Sequence, residues 1–202
     1  VILCLPDDAS REAVSMIGSD RVKVIDASTA FRTAPGWTYG FPEMAPGQRE
    51  AVRSATRVSN PGCYPTGFIG LIRPLVDAGL LPPGYPVTVN AISGYSGGGK
   101  GLISEFEGPP PEGTQDAFRV YGLSLAHKHL PEMKMHGRLD HAPVFAPAVG
   151  RYAQGMLVEA PLVLQALPGQ PTPDAVRAVL REAYEGERFV QVADAATRAE
   201  LQ

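Results

Sequence analysis

Val1–Leu5 is continuously apolar, Pro6, Asp7, Asp8 and Ser10 supply helix-start chemistry, and Ala13, Val14 and Ile17 form a short apolar stripe that ends at Gly18. Val22–Ile25 is apolar again and closes on Asp26-Ala27-Ser28. Strand, helix, strand at this spacing is a βαβ unit. No other feature constrains the fold as much, because strands joined this way lie parallel and their sheet must be covered by helices. Val1–Leu5 reads as a fully buried strand, with Cys4 a small packing hydrophobe inside it. Residues 32–47, around Trp37, Tyr39 and Phe41, read as an ordered loop, Gln48–Ser54 as a short helix and Arg57–Ser59 as a third strand.

A boundary is expected near residue 62, between a nucleotide-type sheet-and-helix unit over 1–62 and a mixed α+β domain over 63–202. Past it, Phe68, Leu71, Ile72, Leu75 and Gly79 follow helical spacing. Pro65 suits that helix's first turn, and Pro74 should kink or weaken it. Val87–Ile92 reads as a strand running into SGYSGGGKG, 109–111 as a Pro-rich loop and Met156–Leu164 as strand-like. Asp174–Tyr184 is an amphipathic helix capped by Thr172 with Pro173 in first position. The chain opens inside a strand without an initiator Met and closes on the polar helical stretch ATRAELQ, so an internal portion of a longer protein is expected.

Of the 202 residues 44% are apolar and the net charge is −3, which gives neither the basic face of a nucleic-acid binder nor a membrane-length apolar run. With no signal peptide and two cysteines, a reducing, cytoplasmic setting is expected. One cysteine stands in VSNPGCYPTG, residues 58–67, among the residue types that fix backbone shape: Pro61, Gly62 and Pro65. Cys63 falls at the start of the expected helix, where unpaired N–H groups and the macrodipole favour a thiolate, the form nucleophilic catalysis needs. A buried packing cysteine is the competing reading.

All four histidines, His127, His129, His136 and His141, lie in one short window. His127 and His129, two apart on an extended segment, would share a face, which suits either a metal site or a base beside a nucleophile. No HExxH or CxxC spacing supports the metal. Glu132 is placed to orient a histidine by taking its ring N–H. Gly94 to Lys100 fit G-x-x-x-x-G-K, but Gly101 stands where a P-loop wants Ser or Thr. A turn of exposed N–H groups holding a phosphate or pyrophosphate remains open, as does a flexible loop. Arg32, in DASTAFR at the end of a parallel strand, is a candidate bidentate ligand for a carboxylate or phosphate.

Together SNPGCYPTG, SGYSGGGKG, HKHLPEM, LCLPDD and DASTAFR resemble the N-acetyl-γ-glutamyl-phosphate reductase family of arginine biosynthesis, in its shorter form. The resemblance runs nearly end to end. It implies an α/β fold, the second half of a Rossmann-type parallel sheet followed by an α+β catalytic and dimerisation domain of glyceraldehyde-3-phosphate-dehydrogenase-like type. It further implies an NADP(H)-dependent acyl-phosphate reductase in which Cys63 forms a thioester and His127 or His129 moves the proton. Asn60, Arg32 and Glu132 would bind the anionic substrate, and Pro6, Ser28, Gly94, Ser96, Gly97 and Gly98 the cofactor. A cytoplasmic homodimer or homotetramer is implied as well. The family's Gly-rich opening strand–turn–helix and its C-terminal return segment have no counterpart in this sequence. Competing readings are a sister acyl-phosphate reductase of aspartate-semialdehyde or α-aminoadipyl type, a Cys–His hydrolase or acyltransferase, and a P-loop-like nucleotide-binding module.

Overall fold

The computed structural model describes residues 1–194; the expected ATRAELQ helix lies outside the described residues. The first sheet holds β1 (Ile2–Leu3), β2 (Val24–Asp26), β3 (Thr38–Tyr39) and β4 (Arg57–Ser59) in the order β1-β2-β4-β3. Every pair in it is parallel. Helix α1 (Asp7–Ser15) makes the β1-to-β2 crossover and α2 (Gln48–Ser54) precedes β4.

Two expectations for this half need correction. Only Ile2–Leu3 of the apolar Val1–Leu5 run is strand, and in this chain the run is not fully buried: Leu3 packs inward while Ile2 is 72% exposed. Cys4, just beyond the strand, is exposed rather than packed. Thr38–Tyr39, read as loop, adds the edge strand β3, held by its register of Thr38 on Val58 and Tyr39 on Ser59.

The second sheet contains β5 (Thr88–Gly94), β6 (Phe118–Val120), β7 (Val144–Gly150) and β8 (Met156–Glu159) in the order β6-β7-β5-β8. β5 and β7 are parallel over seven paired positions, whereas β6 and β8 flank them antiparallel. β7 has an illegible sequence, VFAPAVG, because a proline normally marks an edge. Here Pro147 is fully buried in an inner strand opposite Ala91, and its carbonyl still accepts from Tyr121 N at 3.1 Å. β8 ends at Glu159, short of the expected Leu164, one residue before the Ala160-Pro161 step. Helices α4 (Gly99–Glu107) and α5 (Leu130–His136) complete this half with α6 (Pro173–Ala183), whose Thr172 cap accepts from Ala175 N at 3.2 Å.

Helix α3 (Cys63–Asp77) joins the halves and packs against α5, α6 and β8. Phe68, Ile69 and Ile72 are fully buried on it, and each such side chain contributes about 1.5–3 kcal/mol. The helix runs through Pro74 to Asp77. Gly79 is not part of the apolar stripe: it is exposed at φ +71°, and the amides of Leu80 and Leu81 return to Leu75 O, so it stops the helix in the left-handed conformation glycine tolerates. A helix anchored this firmly gives its first residue, Cys63, a fixed position.

Candidate active site

The site grows from the carboxyl end of the parallel sheet, where open α/β folds take ligands. β4 ends at Ser59, Asn60 N donates to Asp26 O at 2.7 Å, and two residues later the chain turns into α3. Gly62 caps the helix with φ −68° and ψ 150°, ordinary extended backbone. The usual reason for a glycine in a turn, a positive φ, therefore does not apply. What requires it is space: a Cβ there would lie 2.6 Å from Glu132 Oε1, 2.8 Å from Arg32 Nη1 and 2.9 Å from His129 Nε2.

Those three groups form a buried hub under the turn. Glu132 is 2% exposed and accepts from Arg32 Nη1 at 2.8 Å, from Tyr39 OH at 2.8 Å and from Gly62 N at 3.0 Å. None of these donors is a histidine, so Glu132 does not orient His127 or His129, and its burial takes it away from substrate. Arg32 is spent in the same hub, with Nε on Asn60 O at 3.0 Å and Nη2 on Ala27 O at 3.1 Å. A bidentate clamp on a substrate anion would have to break this lattice, so the geometry makes Arg32 an internal strut. Tyr39, stacked on His136 at 3.7 Å, has its phenol ionisation pushed far up by burial and by the Glu132 carboxylate. His136 Nε2 in turn meets Arg32 O at 2.7 Å.

Cys63 is exposed and opens on two cavities, of about 230 Å³ and 420 Å³. Tyr64, Arg119 and Tyr121 line the first, and Thr66, Ser96 and Met156 the second; Ser93, Gly94 and Gly97 line both. Asn60 faces neither and lines a third cavity of about 510 Å³ with Pro61 and Thr66.

His127 and His129 sit in the turn leading into α5, not on an extended strand, yet their ring centroids are 4.6 Å apart. His129 is buried, which drives its pKa down to about 3, helped by His127, Arg32 and Lys128; its Nδ1 has no partner among the described residues. His127 is lowered by partial burial and by Lys128. Its Nδ1 accepts from His129 N at 3.2 Å, which leaves the ring proton of the neutral form on Nε2. Among the described residues no group of three or more His, Cys, Asp or Glu side chains is placed to hold a metal, and His141 stands apart, exposed.

The glycine-rich segment is a 3₁₀ turn over Tyr95–Gly98 running into α4, not a nest of free amides. Gly94, Tyr95 and Ser96 donate their N–H groups to the carbonyls of Gly155, Tyr152 and Ala153. Gly97 and Gly98 still line the Cys63 cavity. In the first sheet, Pro6 starts α1 after β1. Ser28 is buried, with N–H and hydroxyl both on Asp26 Oδ1 at 3.0 and 2.5 Å, so its hydroxyl is not offered to a ligand.

Reasoning from sequence missed Tyr64, Ser93, Arg119 and Tyr121 in the cavity wall. A signal existed for two of them: in Phe118-Arg119-Val120-Tyr121 the apolar residues are exposed and the alternate ones turn toward the site, a period of two.

A parallel-sheet unit leads through a turn that carries an exposed thiol into a mixed second sheet, the architecture of a two-part α/β protein. Residues 63–202 match the semialdehyde dehydrogenase dimerisation domain and residues 1–54 the semialdehyde dehydrogenase NAD-binding domain; the chain belongs to the semialdehyde dehydrogenase family. It is 54% identical over 196 residues to N-acetyl-gamma-glutamyl-phosphate reductase 2 of Nostoc sp., covering 95% of this chain and 61% of that protein. It is 58% identical over 193 residues to N-acetyl-gamma-glutamyl-phosphate reductase of Allorhizobium ampelinum, covering 95% of this chain and 62% of that protein. The chain thus spans about three fifths of the length of these curated relatives. Among solved structures, aspartate semialdehyde dehydrogenase II from Vibrio cholerae superposes with a TM-score of 0.66 at 16% identity, over 90% of this chain and 59% of that one, a likeness of fold.

Proposed function

We propose that this chain carries the thiol site of an NADPH-dependent acyl-phosphate reductase that converts N-acetyl-γ-glutamyl phosphate to N-acetylglutamate semialdehyde. The observation that carries the reading is the exposed Cys63 at the first position of a buried helix, opening on two cavities, in a chain so similar to named reductases.

Cys63 Sγ attacks the acyl carbon, a C–S bond forms, the C–O bond to phosphate breaks and phosphate leaves with the electron pair. A thioester accepts reduction readily, so one hard step is split into two. The cofactor, when bound, supplies the hydride that reduces this thioester. Pro6 follows the carboxyl end of β1, and Gly94, Gly97 and Gly98 line the cavity beside Cys63, so these are the residues that would hold the cofactor near the thiol. Proton transfer to the tetrahedral oxygen is assigned to His127, whose neutral ring carries its proton on Nε2. Neither histidine lines the Cys63 cavities, so His127 has to reach the oxygen from outside their walls, while His129, held neutral by burial, backs the turn at Gly62. Collapse breaks the C–S bond, releasing aldehyde and returning the thiolate.

The family's dimerisation domain and the exposed Phe118, Val120 and Val144 of the second sheet support a homo-oligomer. No helix among the described residues is long and apolar enough to cross a membrane, and a cytoplasmic setting is part of the same proposal. The test follows NADP⁺ reduction by the intact enzyme with N-acetylglutamate semialdehyde, with and without phosphate, and with aspartate semialdehyde as competitor. Phosphate-dependent turnover that prefers the N-acetylated substrate and vanishes in Cys63→Ser is expected. Turnover indifferent to phosphate, or a preference for aspartate semialdehyde, rejects the reading.

A further inference from the structure

With Arg32 spent in the hub, the substrate's charge has to be met elsewhere. The 230 Å³ cavity at Cys63 is smaller than the roughly 300–1,000 Å³ of drug-sized pockets, so it suits a small metabolite. Besides Cys63 itself, Arg119 is the one charged residue of its lining; the rest are the hydroxyls of Tyr64, Tyr121 and Ser93, three glycines and the aliphatic Leu102 and Val149. Arg119 is held from behind. Its Nε donates to Asp116 at 2.8 Å and its Nη2 to Glu105 at 2.6 Å and Asp116 at 2.5 Å, while Nη1 has no partner among the described residues. The two carboxylates raise its pKa further and fix the plane of the guanidinium, leaving one of its nitrogens for an incoming anion.

We propose that Arg119 is a specificity-determining residue that holds the α-carboxylate of the acyl-phosphate substrate, an assignment that rests on the reductase reading above. The phosphate is bonded to the carbon that Cys63 attacks, so it must leave from beside the sulfur, where the second cavity offers the hydroxyl of Ser96; the Thr66 hydroxyl is committed to Gly62 O at 2.8 Å. The α-carboxylate carbon lies four bonds from that carbon, about 5 Å when extended. It therefore belongs at a wall of the first cavity away from the leaving group, and Arg119 lines the first cavity but not the second.

In the direction of semialdehyde oxidation the carboxylate and the phosphate arrive on separate substrates, so kinetics on the intact enzyme tell them apart. Arg119→Gln should raise KM for N-acetylglutamate semialdehyde roughly ten- to hundredfold, the factor expected for one lost charge-assisted hydrogen bond, with KM for phosphate within about twofold. Arg119→Lys should recover part of the loss. As a readout independent of turnover, Cys63 alkylation at low salt by anionic iodoacetate, relative to neutral iodoacetamide, should slow about threefold or more in Arg119→Gln. An unchanged iodoacetamide rate shows that the thiol and its turn are intact. A rise in KM for phosphate instead, or an unchanged KM and alkylation ratio, overturns the assignment. If the wild type does not oxidise this semialdehyde at all, the reductase reading falls; the alkylation ratio then decides alone whether Arg119 presents a cation to the cavity.

Discussion

Glu132→Gln keeps the size of the side chain at the hub and removes its charge. The carboxylate accepts three donors, from Arg32, Tyr39 and Gly62, and an amide can accept on one oxygen only. If that oxygen takes Arg32, the NH₂ group faces the Gly62 amide, donor against donor. If it takes Tyr39 and Gly62, the NH₂ group faces the Arg32 guanidinium. Either way a buried donor is left unpaired, which costs about 1–3 kcal/mol, and Arg32 loses its countercharge at a site where only 10% of its side chain is exposed. Removing one partner of a buried pair costs about 3–5 kcal/mol, so about 3 kcal/mol is expected for Gln and more for Ala. In a chain of this size each kcal/mol moves Tm by about 2–4 °C, so a fall of about 6–12 °C should appear by calorimetry. Because the Gly62 amide is one of the three donors, the turn should loosen as well, and the iodoacetamide reactivity of Cys63 should change with it. Arg32→Met combined with Glu132→Gln should cost less than the sum of the two. A Tm within 2 °C of wild type together with unaltered Cys63 reactivity would refute the hub.

Gly62→Ala places a methyl 2.6 Å from Glu132 Oε1 and should lower Tm by several degrees and cut turnover far more than Gly70→Ala, whose nearest neighbour is 3.5 Å away. Both cysteines are exposed, so peptide mapping after alkylation should find both labelled, but Cys4→Ser should keep full activity while Cys63→Ser loses it. His129 has its folded pKa depressed to about 3 against an ordinary 6.5, so the unfolded chain binds the extra proton and stability falls as pH drops from 6.5 toward 3. That slope approaches about 1.4 kcal/mol per pH unit for one proton, and denaturant titrations of His129→Gln should show a shallower acid slope than wild type.

The sequence was most legible where local rules act alone. Gln48–Ser54, Arg57–Ser59 and the capped helix at Thr172 need nothing beyond composition, spacing and a cap, and they stand where those rules put them. The parallel sheet followed from one βαβ spacing. The strand β7 did not, because Pro147 and small residues hide an inner strand that only its pairing with β5 specifies. In the site, Cys63 was visible because proline and glycine around it are local signals. The role of Gly62 was not, since the atoms that exclude a side chain come from Arg32, His129 and Glu132, far along the chain. The same holds for the two arginines: nothing near Arg32 in sequence shows that Glu132 consumes it, and nothing near Arg119 shows that it faces a thiol more than fifty residues earlier.

The most direct test of the central claim, covalent catalysis at Cys63, is to mix the intact enzyme with N-acetyl-γ-glutamyl phosphate in the absence of NADPH, quench in acid and map the peptides by mass spectrometry. One phosphate released per site and an N-acetylglutamyl group on the peptide carrying Cys63, discharged on adding NADPH, is the predicted result. Phosphate release with no acyl group on Cys63, or an acyl group on another residue, would contradict it.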